Sequence, residues 1–571
     1  MWFILDPERL KREVEGIERL STEVEWLSSV KPRVLPGIKF AVDLDVLVDH
    51  EIIPLTLTYP NFFPQTPPSI LPRDGKRHSS HQWGEDGELC LEYRTDNWDP
   101  SVTGVMMVES AYRLFSGEHP ANNQLAVVPS AHHASLGQRL RGSSTRGFST
   151  PGLRAQISNL QTGFNYPCSV SETSGPKRTW AAYVASIGPK DMLLWQEDII
   201  PAGVGHKHVG TLVRVPAVKE ISITSQENLD EVVGKAIITE PVQLDQTSRF
   251  TVLADLTTVR YFFSYLTEGV WKVIAYHTIE IAEEPSSRLP AGHATLACKK
   301  VGIVGCGSLG SKIAVSLARS GVRNFLLIDD DILSPGNLVR NELGAESLGV
   351  HKVEALEERL LSVAPGVEVS VSRVHLGGQE ASGSTAAVLE NLALCDLIID
   401  ATADAQAFNF IASVARRSLK PMLWAEVYAG GIGGFVARVR PDIEPPPHTA
   451  RRQYLAWCRD QGVPWLADAV DYSAEIADDV PPLIADDSDV GVIAAHAARM
   501  AVDVLVKGPA TDFPHPAYAI GLSAEWIFTE PFDTRPVDFT PEGEWRSPLV
   551  DGNAKVALEY LTKILESNNA N

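Results

Sequence analysis

VGIVGCGSLGSKIAVSLARSG, residues 301–321, decides the fold of the C-terminal part of the chain. The apolar run before Gly305 predicts a buried strand, and the segment after Gly307 predicts a helix. Together with Gly310, these residues form the pattern Gly-x-Gly-x-x-Gly between strand and helix. Such glycines permit a tight turn and let backbone N–H groups at a helix N-terminus approach a phosphate. The stretch therefore predicts a phosphate-binding loop, a feature that dinucleotide-binding dehydrogenases also have.

Strand and helix signals continue to alternate after this loop. NFLLID (residues 324–329) and CDLIIDAT (residues 395–402) predict two more buried strands. Strands that alternate with helices in this way are typical of a parallel sheet with helices on its faces.

Charged and polar residues after the second strand favour a triphosphate over a dinucleotide. Asp329 ends that strand, where a carboxylate can accept hydrogen bonds from a ribose. Asp331, Asn337, Arg340 and Lys352 follow within a short distance. A dinucleotide already cradled by the loop does not need these two cations, whereas a triphosphate and a leaving pyrophosphate carry more negative charge.

This ordered set of motifs resembles the ThiF/MoeB adenylating family, which includes the ubiquitin-activating enzymes. The resemblance covers about residues 295–435 and rests on the glycine loop, Asp-x-Asp, Asn-Leu-x-Arg and Gly-x-x-Lys motifs. It implies a Rossmann-like fold and binding of ATP and its phosphates. The residues that it assigns to ATP are Gly305, Gly307, Ser308, Gly310, Asp329, Asp331, Asn337, Arg340 and Lys352.

The same resemblance implies a magnesium ion and a further phosphate contact. The family has an aspartate for magnesium after the strand that corresponds to LIIDAT, and here it is displaced by one position to Asp404. Asp400 is the alternative, although a carboxylate at that strand end can simply cap a turn. Arg288 matches the family's N-terminal phosphate-contacting arginine, and an exposed linker arginine is the other interpretation. The family's frequent zinc cysteines are absent.

A second stretch, GELCLEYRTDNWDP (residues 87–100), resembles the ubiquitin-conjugating fold. The resemblance spans about residues 1–120 and includes Tyr59-Pro60, the prolines that follow, Gly87 to Leu91 and Trp98-Asp99-Pro100. It implies that Cys90 carries an acyl group as a thioester. The alternative is a small buried hydrophobic residue, the commonest fate of a free cysteine.

Three neighbours of Cys90 are candidates for supporting roles. Gln82 stands where the conjugating family has an asparagine that supports the oxyanion, and it has the same amide on a longer side chain. His81 is either a base or orienting group or a loop histidine in solvent. Asp99 either polarises an attacking amine or caps the following helix.

Cys458 is a candidate for a second thioester cysteine. Activating enzymes often use their own cysteine in a segment that crosses over the adenylate site. Here Cys458 follows a proline-rich crossing, and nearby arginines at 451, 452 and 459 would favour a thiolate. A packed structural thiol is the alternative, and direct transfer from the adenylate to Cys90 needs no second cysteine.

These observations predict a multidomain protein of mixed α+β and α/β class. The predicted parts are a ubiquitin-conjugating-like α+β domain (1–125), a linker (126–154), a β-rich α+β domain of unassigned role (155–290) and a Rossmann-like ThiF adenylation domain (291–571). The last of these includes a crossover segment at about 440–490. The N-terminal segment predicts an amphipathic helix, residues 37–59 predict strands, and residues 227–236 predict a helix.

Composition narrows the class of protein further. The chain has 571 residues, of which 44% are hydrophobic, as in globular proteins. A formal net charge of −22 argues against nucleic-acid binding. Six scattered cysteines do not suggest a disulfide framework, and we find no signal peptide or apolar run of membrane-spanning length. We therefore expect a cytoplasmic protein with reduced thiols.

Together, the two resemblances imply one pathway that uses ATP and Mg²⁺. The adenylation domain would activate the C-terminal carboxylate of a protein modifier, and the conjugating domain would pass it to a target amine. Fusions of this kind resemble proteins of bacterial antiphage operons, where the modifier is a cyclic-nucleotide synthase (CBASS) or a ubiquitin-like protein. The alternatives are a sulfur-transfer adenylyltransferase with an inert conjugating-like domain and a non-catalytic scaffold. The adenylating family commonly forms homodimers, and no nucleic acid or membrane is expected as a partner.

Overall fold

The computed structural model of the chain divides into two compact units, Met1–Gly142 and Ser143–Asn571. Within the described part of the chain, no helix is long and apolar enough to cross a membrane. The structure describes residues 1–84, 86–118, 135–175, 178–201, 204–218, 221–237, 247–282, 288–462, 485–546 and 553–568.

The first unit combines helices with two antiparallel sheets. Its elements are α1 (Trp2–Leu5), α2 (Pro7–Glu23), β1 (Leu27–Leu35), β2 (Lys39–Val48), β3 (Glu51–Tyr59), β4 (Ser69–Pro72), β5 (Gln82–Trp83), β6 (Glu88–Leu89), α3 (Gly104–Glu118) and α4 (Leu136–Arg139). The strands β1 to β4 form one sheet in chain order, and β5 pairs with β6 directly before Cys90. Helix α2 and strands β2 and β3 confirm the predicted N-terminal helix and the strands within residues 37–59.

A buried ion pair ties helix α2 to the chain that follows Cys90. Arg9 Nε donates to Glu13 Oε1 at 2.8 Å, and Glu13 is fully buried. The Arg9 guanidinium also donates to the carbonyl oxygens of Pro100 (2.9 Å) and Val102 (2.7 Å). Tyr59 Oη donates to Glu13 Oε2 at 2.9 Å. Because a charge buried in this way needs all of its partners, the pair fixes the Trp98–Val102 segment against α2.

The second unit begins with a closed barrel. Its elements are β7 (Thr145–Ser149), α5 (Pro151–Asn159), β8 (Asn165–Gly175), β9 (Thr179–Ile187), β10 (Trp195–Gln196), β11 (His206–Arg214), α6 (Gln226–Ala236), β12 (Ser248–Ala254), β13 (Val259–Thr267) and β14 (Val270–Glu280). The sheet order is β10-β9-β7-β14-β13-β12-β11-β8, and β8 pairs back to β9, which closes the ring. Helix α6 confirms the predicted helix at 227–236.

The predicted linker at 126–154 needs a correction at its C-terminal end. Strand β7 pairs in parallel with both β9 and β14, so residues 145–149 belong to the barrel. The glycines and serines that suggested a linker sit in and around this strand. Gly147 is required there because a Cβ would lie 2.3 Å from the ring of Tyr261. Residues 126–134 of the predicted linker lie outside the described residues.

The rest of the second unit is a sheet of eight strands with helices on both faces. Its elements are β15 (Lys300–Val304), α7 (Ser308–Ser320), β16 (Asn324–Ile328), α8 (Lys352–Val363), β17 (Glu368–Ser372), α9 (Ser382–Ala393), β18 (Leu397–Asp400), α10 (Ala405–Ser418), β19 (Met422–Val427), β20 (Gly433–Val439), α11 (Pro447–Asp460), α12 (Asp487–Lys507), β21 (Ala517–Gly521), β22 (Thr534–Val537) and α13 (Asn553–Asn568). The strand order is β17-β16-β15-β18-β19-β20-β21-β22.

The first five strands of this sheet are parallel, as the alternating pattern predicted. One apolar cluster packs α7, α8 and α12 on one face, and a second packs α9, α10 and α11 on the other. The chain leaves β15 towards β16 on one side and returns to β18 on the other. Ligands of open parallel sheets bind at such a switch point, outside the carboxyl ends of the strands.

Candidate functional site

The glycine loop lies at this switch point, between β15 and α7. At Gly310 a Cβ would lie 1.8 Å from the carbonyl oxygen of Gly305, so only glycine lets the helix approach the strand. At Gly307, in contrast, a Cβ would meet no protein atom within 4 Å. The space beside Gly307 is therefore open to a ligand, next to the unpaired N–H groups of the first turn of α7.

A cavity of about 810 Å³ opens above the loop, along the carboxyl ends of the parallel strands. Most residues that the sequence assigned to ATP line it. Those residues are Gly305, Gly307, Ser308, Asp329, Asp331, Asn337, Arg340 and Lys352, and Asp404 joins them. Gly310 lies behind the loop rather than in the lining.

Two acids at the end of β16 hold the loop and the buried lysine. Asp329 Oδ2 accepts the N–H of Cys306 at 2.7 Å, and Asp329 Oδ1 accepts the N–H of Asp331 at 2.9 Å. Burial raises the pKa of Asp329 despite these bonds and the nearby Lys352. Lys352, which is 7% exposed, donates from Nζ to Asp331 Oδ2 at 2.6 Å. The lysine is thereby held at the cavity as a fixed positive charge.

The two aspartates that were candidates for binding magnesium have different environments in the structure. Asp400 is 4% exposed, accepts the N–H and Oγ1–H of Thr402, and burial raises its pKa to about 6. It caps a turn, as the alternative interpretation stated. Asp404 is exposed, lines the cavity and caps helix α10 by accepting the N–H of Ala407 at 2.6 Å.

The structure does not bring Arg288 to the cavity of its own chain, and its phosphate contact stays a prediction. This residue is exposed and does not belong to the cavity lining. The segment after it packs on the C-terminal end of α7, where His293 Nδ1 lies 2.9 Å from the carbonyl oxygen of Ser320. The loop is at the other end of that helix, roughly 20 Å away at 1.5 Å per residue. No local pattern of residues indicates which end of α7 this segment contacts.

At the β19 end of the cavity lie polar residues that sequence reasoning missed. Glu426 and Tyr428 both line it. Tyr454 Oη, from α11, donates to Glu426 Oε1 at 2.6 Å and lies 3.0 Å from Tyr428 Oη. Burial raises the pKa of Glu426. Glu426 and Tyr428 lie at the end of a buried strand, and this position was the available signal. In parallel sheets, functional residues commonly lie at the carboxyl ends of the strands.

Cys458 is packed in the core, contrary to the thiolate that its arginine neighbours suggested. The residue is 2% exposed in the same cluster as Tyr428 and Tyr454, and burial raises its thiol pKa to about 12. Arg451 lies over the ring of Phe408 at 4.3 Å instead of activating the thiol. A cysteine with these properties is a structural residue. Residues 463–484 of the predicted crossover segment lie outside the described residues.

We therefore expect Cys458→Ala to leave acyl loading of the protein unchanged. The substitution removes one buried sulfur and no reactive thiolate, so its effect should be a modest loss of thermal stability. Non-reducing gel analysis of the loaded protein, with a thermal melt, measures both. Complete loss of loading with an unchanged melting temperature would restore Cys458 as a relay cysteine.

Cys90 lies in the first unit, directly after β6. It is half-buried, and its N–H donates to the carbonyl oxygen of His81 at 2.7 Å. Burial and then the neighbouring Glu88 raise the pKa of the thiol, whereas Arg94 lowers it. Cys90 is thus accessible yet mostly protonated at neutral pH. His81 is 7% exposed, so it is not the loop histidine in solvent that the sequence allowed.

Gln82 organises the loop before Cys90, and its amide is fully used there. Its Oε1 accepts the N–H groups of His78 (2.5 Å) and Ser79 (2.9 Å). Its Nε2 donates to the carbonyl oxygens of Lys76 (3.2 Å) and Gly87 (2.9 Å). An amide nitrogen has only two hydrogens, so neither is left for an oxyanion. The extra methylene carries the amide into the loop, which corrects the predicted oxyanion role to a positioning one.

Asp99 caps a turn beyond Cys90. Its carboxylate accepts the N–H (2.8 Å) and the Oγ–H (2.5 Å) of Ser101, which holds the pKa of Asp99 below its ordinary value. The capped turn precedes α3 and does not form its first turn. Asp99 remains exposed. The neighbouring Trp98 donates from Nε1 to the carbonyl oxygen of Pro64 at 2.7 Å, which anchors this segment.

The electrostatics of Cys90 predict a pH-dependent reactivity to which Glu88 contributes, after burial. Glu88→Gln removes a negative charge that disfavours the thiolate, so Cys90 should alkylate several-fold faster near pH 8. The pH profile of alkylation, followed at Cys90 by peptide mass spectrometry, should shift to lower pH. Glu92→Gln is the matched control, because Glu92 is paired with Arg113 at 2.7 Å. Equal shifts in both variants would contradict the assignment.

Parts of this chain are similar to known proteins. Residues 288–508 match the model of the ThiF family, so the C-terminal region carries a ThiF domain. The uncharacterized protein y4oA of Sinorhizobium fredii is 33% identical over 170 residues, which are 28% of each chain. The ATP-dependent ubiquitin transferase-like protein Cap2 of Enterobacter hormaechei is 37% identical over 145 residues, 24% of this chain and 23% of that protein. The chain thus spans only about a quarter of the length of these relatives.

The structure of E. coli MccB with ATP has a TM-score of 0.33 and 18% identity over 46% of this chain and 68% of that one.

Proposed function

We propose that this chain, through its ThiF domain, uses ATP to adenylate the C-terminal carboxylate of a protein modifier. Cys90 then takes the acyl group as a thioester and passes it to an amine of a target protein. The single observation that carries the first step is the cavity at the β15 switch point, where the glycine loop, Lys352, Arg340 and Asp404 meet. The similarity to a ubiquitin transferase-like protein supports the later steps.

The cavity fits ATP in size and in the chemistry of its donors. Its volume lies within the range of small-molecule sites. The open space beside Gly307 admits phosphate oxygens next to the N–H groups of α7. Lys352 and Arg340 add two cations for the charge that develops on the leaving pyrophosphate. Asp331 keeps the lysine in place.

The cavity also fits a magnesium ion that is shared with the nucleotide. Among the described residues, no three His, Cys, Asp or Glu side chains are grouped to hold a metal alone. Mg²⁺ is commonly bound by one or two carboxylates together with phosphate oxygens. Asp404 is an exposed carboxylate of the lining, next to the end of β18, and it suits this role. When bound, the ion would neutralise phosphate charge as a Lewis acid.

Three bond exchanges make up the proposed sequence. A carboxylate oxygen of the modifier attacks the α-phosphorus, and the bond to the bridging oxygen breaks as pyrophosphate leaves. Cys90 loses its thiol proton to solvent, its sulfur attacks the acyl carbon to form a C–S bond, and the bond from that carbon to the phosphate oxygen breaks as AMP leaves. An amine nitrogen then attacks the thioester, the C–N bond replaces the C–S bond, and the amine's surplus proton goes to solvent. Together, these three steps replace one difficult amide synthesis by easier reactions.

We propose a cyclic-nucleotide synthase of an antiphage operon as the modifier. The similarity to Cap2 supports a protein substrate. A ubiquitin-like protein would undergo the same chemistry. Sulfur transfer is less well supported, since Cys168, Cys306, Cys395 and Cys458 of the second unit are buried and its one exposed cysteine, Cys298, does not line the cavity. Homodimerisation through the ThiF domain stays a prediction.

The test uses the full-length chain and the protein encoded by the neighbouring reading frame. With ATP and Mg²⁺, we expect ATP–pyrophosphate exchange that requires a free C-terminal carboxylate. We also expect an adduct on the chain that reductant removes. A modifier with an amidated C-terminus is the control and should support neither. Exchange that proceeds equally well without any modifier would contradict the proposal.

A further inference from the structure

An exposed phenylalanine lies on the loop that joins β21 to β22, which we call the β21–β22 loop (residues 522–533). Phe532 is 71% exposed, and its φ of 68° lies in the left-handed region. Bulky side chains rarely adopt that region, and holding one there costs free energy. Phe532 therefore neither contributes to the core nor suits its backbone conformation. Backbone outliers of this kind cluster at functional sites.

The loop presents this side chain in a fixed position. The N–H of Phe532 donates to the carbonyl oxygen of Gly521 at 2.8 Å. The carboxylate of Asp533 accepts the N–H and the Oγ–H of Thr529, both at 3.0 Å, and pairs with Arg535 at 2.6 Å. Because these bonds already order the loop, binding of a partner to Phe532 would cost little further conformational entropy.

The β21–β22 loop leaves the sheet at the edge where the cavity opens. Val427, at the end of β19, pairs with Gly434 of β20. The neighbouring Gly433 pairs with Gly521 at the end of β21. The loop thus begins two strands beyond the carboxyl end of β19 and on the same edge of the sheet.

Trp526 packs this loop against the wall of the cavity. Its ring centroid lies 5.7 Å from that of Tyr428, which lines the cavity. Its Nε1 donates to the carbonyl oxygen of Gln461 at 3.0 Å, directly after helix α11. A protein whose C-terminal tail lies in the cavity beside Tyr428 would therefore hold its folded part close to the loop.

Charges on the loop indicate the chemistry of the partner surface. Glu525 and Glu530 are both exposed, and they lie on the loop before Phe532. The carboxylate of Asp533, in contrast, is paired with Arg535. An apolar side chain near exposed acids is complementary to an apolar pocket that has lysine or arginine at its rim.

We propose that the β21–β22 loop is a docking surface for the folded part of the modifier, with Phe532 as its anchor. The modifier would contribute an apolar pocket with a basic rim, while its C-terminal tail reaches the cavity. Aromatic side chains that fill such a pocket commonly dominate the binding energy of an interface. This proposal rests on the proposed function, which supplies the modifier as the partner.

The test measures binding of the protein from the neighbouring reading frame to the full-length chain by calorimetry. For Phe532→Ala we expect the Kd to rise at least about tenfold, as for other aromatic anchors that are truncated. In pyrophosphate exchange, the KM for the modifier should rise by a similar factor, while kcat and the KM for ATP stay unchanged. A synthetic peptide of the modifier's C-terminal residues should support exchange equally in wild type and variant, because it lacks the folded part.

Phe532→Gly separates docking from folding. Glycine adopts a φ of this sign without strain, so the melting temperature should not fall, whereas the affinity should fall as in Phe532→Ala. Leu394→Ala is the control, because Leu394 is 68% exposed and precedes β18 at the opposite edge of the sheet. The control should bind the modifier as the wild type does.

Wild-type affinity in both Phe532 variants would overturn the docking surface, and so would a wild-type chain that does not bind the modifier. An equal rise in the KM for the tail peptide would also overturn it, since that effect would place Phe532 at the tail. A wild-type chain that binds the modifier without any exchange would defeat the proposed function alone. The affinities of the two variants would then still decide on the docking surface.

Discussion

Replacing Cys90 with alanine is expected to abolish transfer of the modifier to target amines while ATP–pyrophosphate exchange continues at the wild-type rate. The acyl group needs a sulfur nucleophile that can form and release a thioester, and alanine supplies none. Exchange depends on the second unit, where the glycine loop, Lys352 and Asp404 line one cavity. Exchange kinetics and a gel assay of conjugates, run on the same preparation, measure the two activities.

Cys298→Ala is the matched control for this experiment. Cys298 is a free thiol like Cys90. It is exposed, and it belongs to the 3₁₀ helix Ala291–Cys298 rather than to either candidate site. The control should retain both activities. Loss of exchange in Cys90→Ala, or normal conjugation by it, would remove the proposed division of labour between the two units.

Replacing Asp404 with asparagine is expected to lower the exchange rate about a hundredfold, because a metal ligand of this kind supplies several kcal/mol at a phosphoryl centre. Asparagine caps helices as well as aspartate does, so the bond to the N–H of Ala407 survives. The substitution therefore removes the charge and keeps the helix. The Mg²⁺ concentration for half-maximal exchange should also rise, which a purely structural defect would not produce.

Asp486→Asn controls for the loss of a capping aspartate. Asp486 caps α12 by accepting the N–H of Asp489 at 3.0 Å and does not line the cavity. Its variant should exchange at the wild-type rate. If Asp404→Asn exchanges at the wild-type rate and with the wild-type Mg²⁺ requirement, Asp404 is not the metal ligand. Asp400 would then be the remaining candidate.

The cavity could be anticipated from the sequence because its determinants are local. A short segment specifies by itself that glycines lie between a strand and a helix. It likewise specifies that acids directly follow a strand. In a parallel sheet, all strand ends of one kind lie at one edge. Thus Gly307, Asp329 and Asp404, which are far apart in the chain, line the same cavity. The pattern also indicated helix α2 and helix α6.

Predictions from the sequence failed where the role of a residue depended on the direction or burial of its side chain. Cys458 is separated from solvent by aromatic residues of other elements, which no local charge pattern reveals. Gln82 has the amide that an oxyanion site needs, yet its bonds go to the backbone of its own loop.

By itself, the sequence determined the parallel architecture of the C-terminal domain, the position of its phosphate loop and the identity of Cys90 as the thiol to test. Periodicity and turn residues act over a few positions, and these features need no more than that. Only the tertiary structure decided which neighbours complete the sites. In the cavity lining, Asp330 and His375 are 45 positions apart, and they meet because β16 and β17 are adjacent in the sheet. Strand order and side-chain packing involve the whole chain, so no short stretch of it specifies that contact.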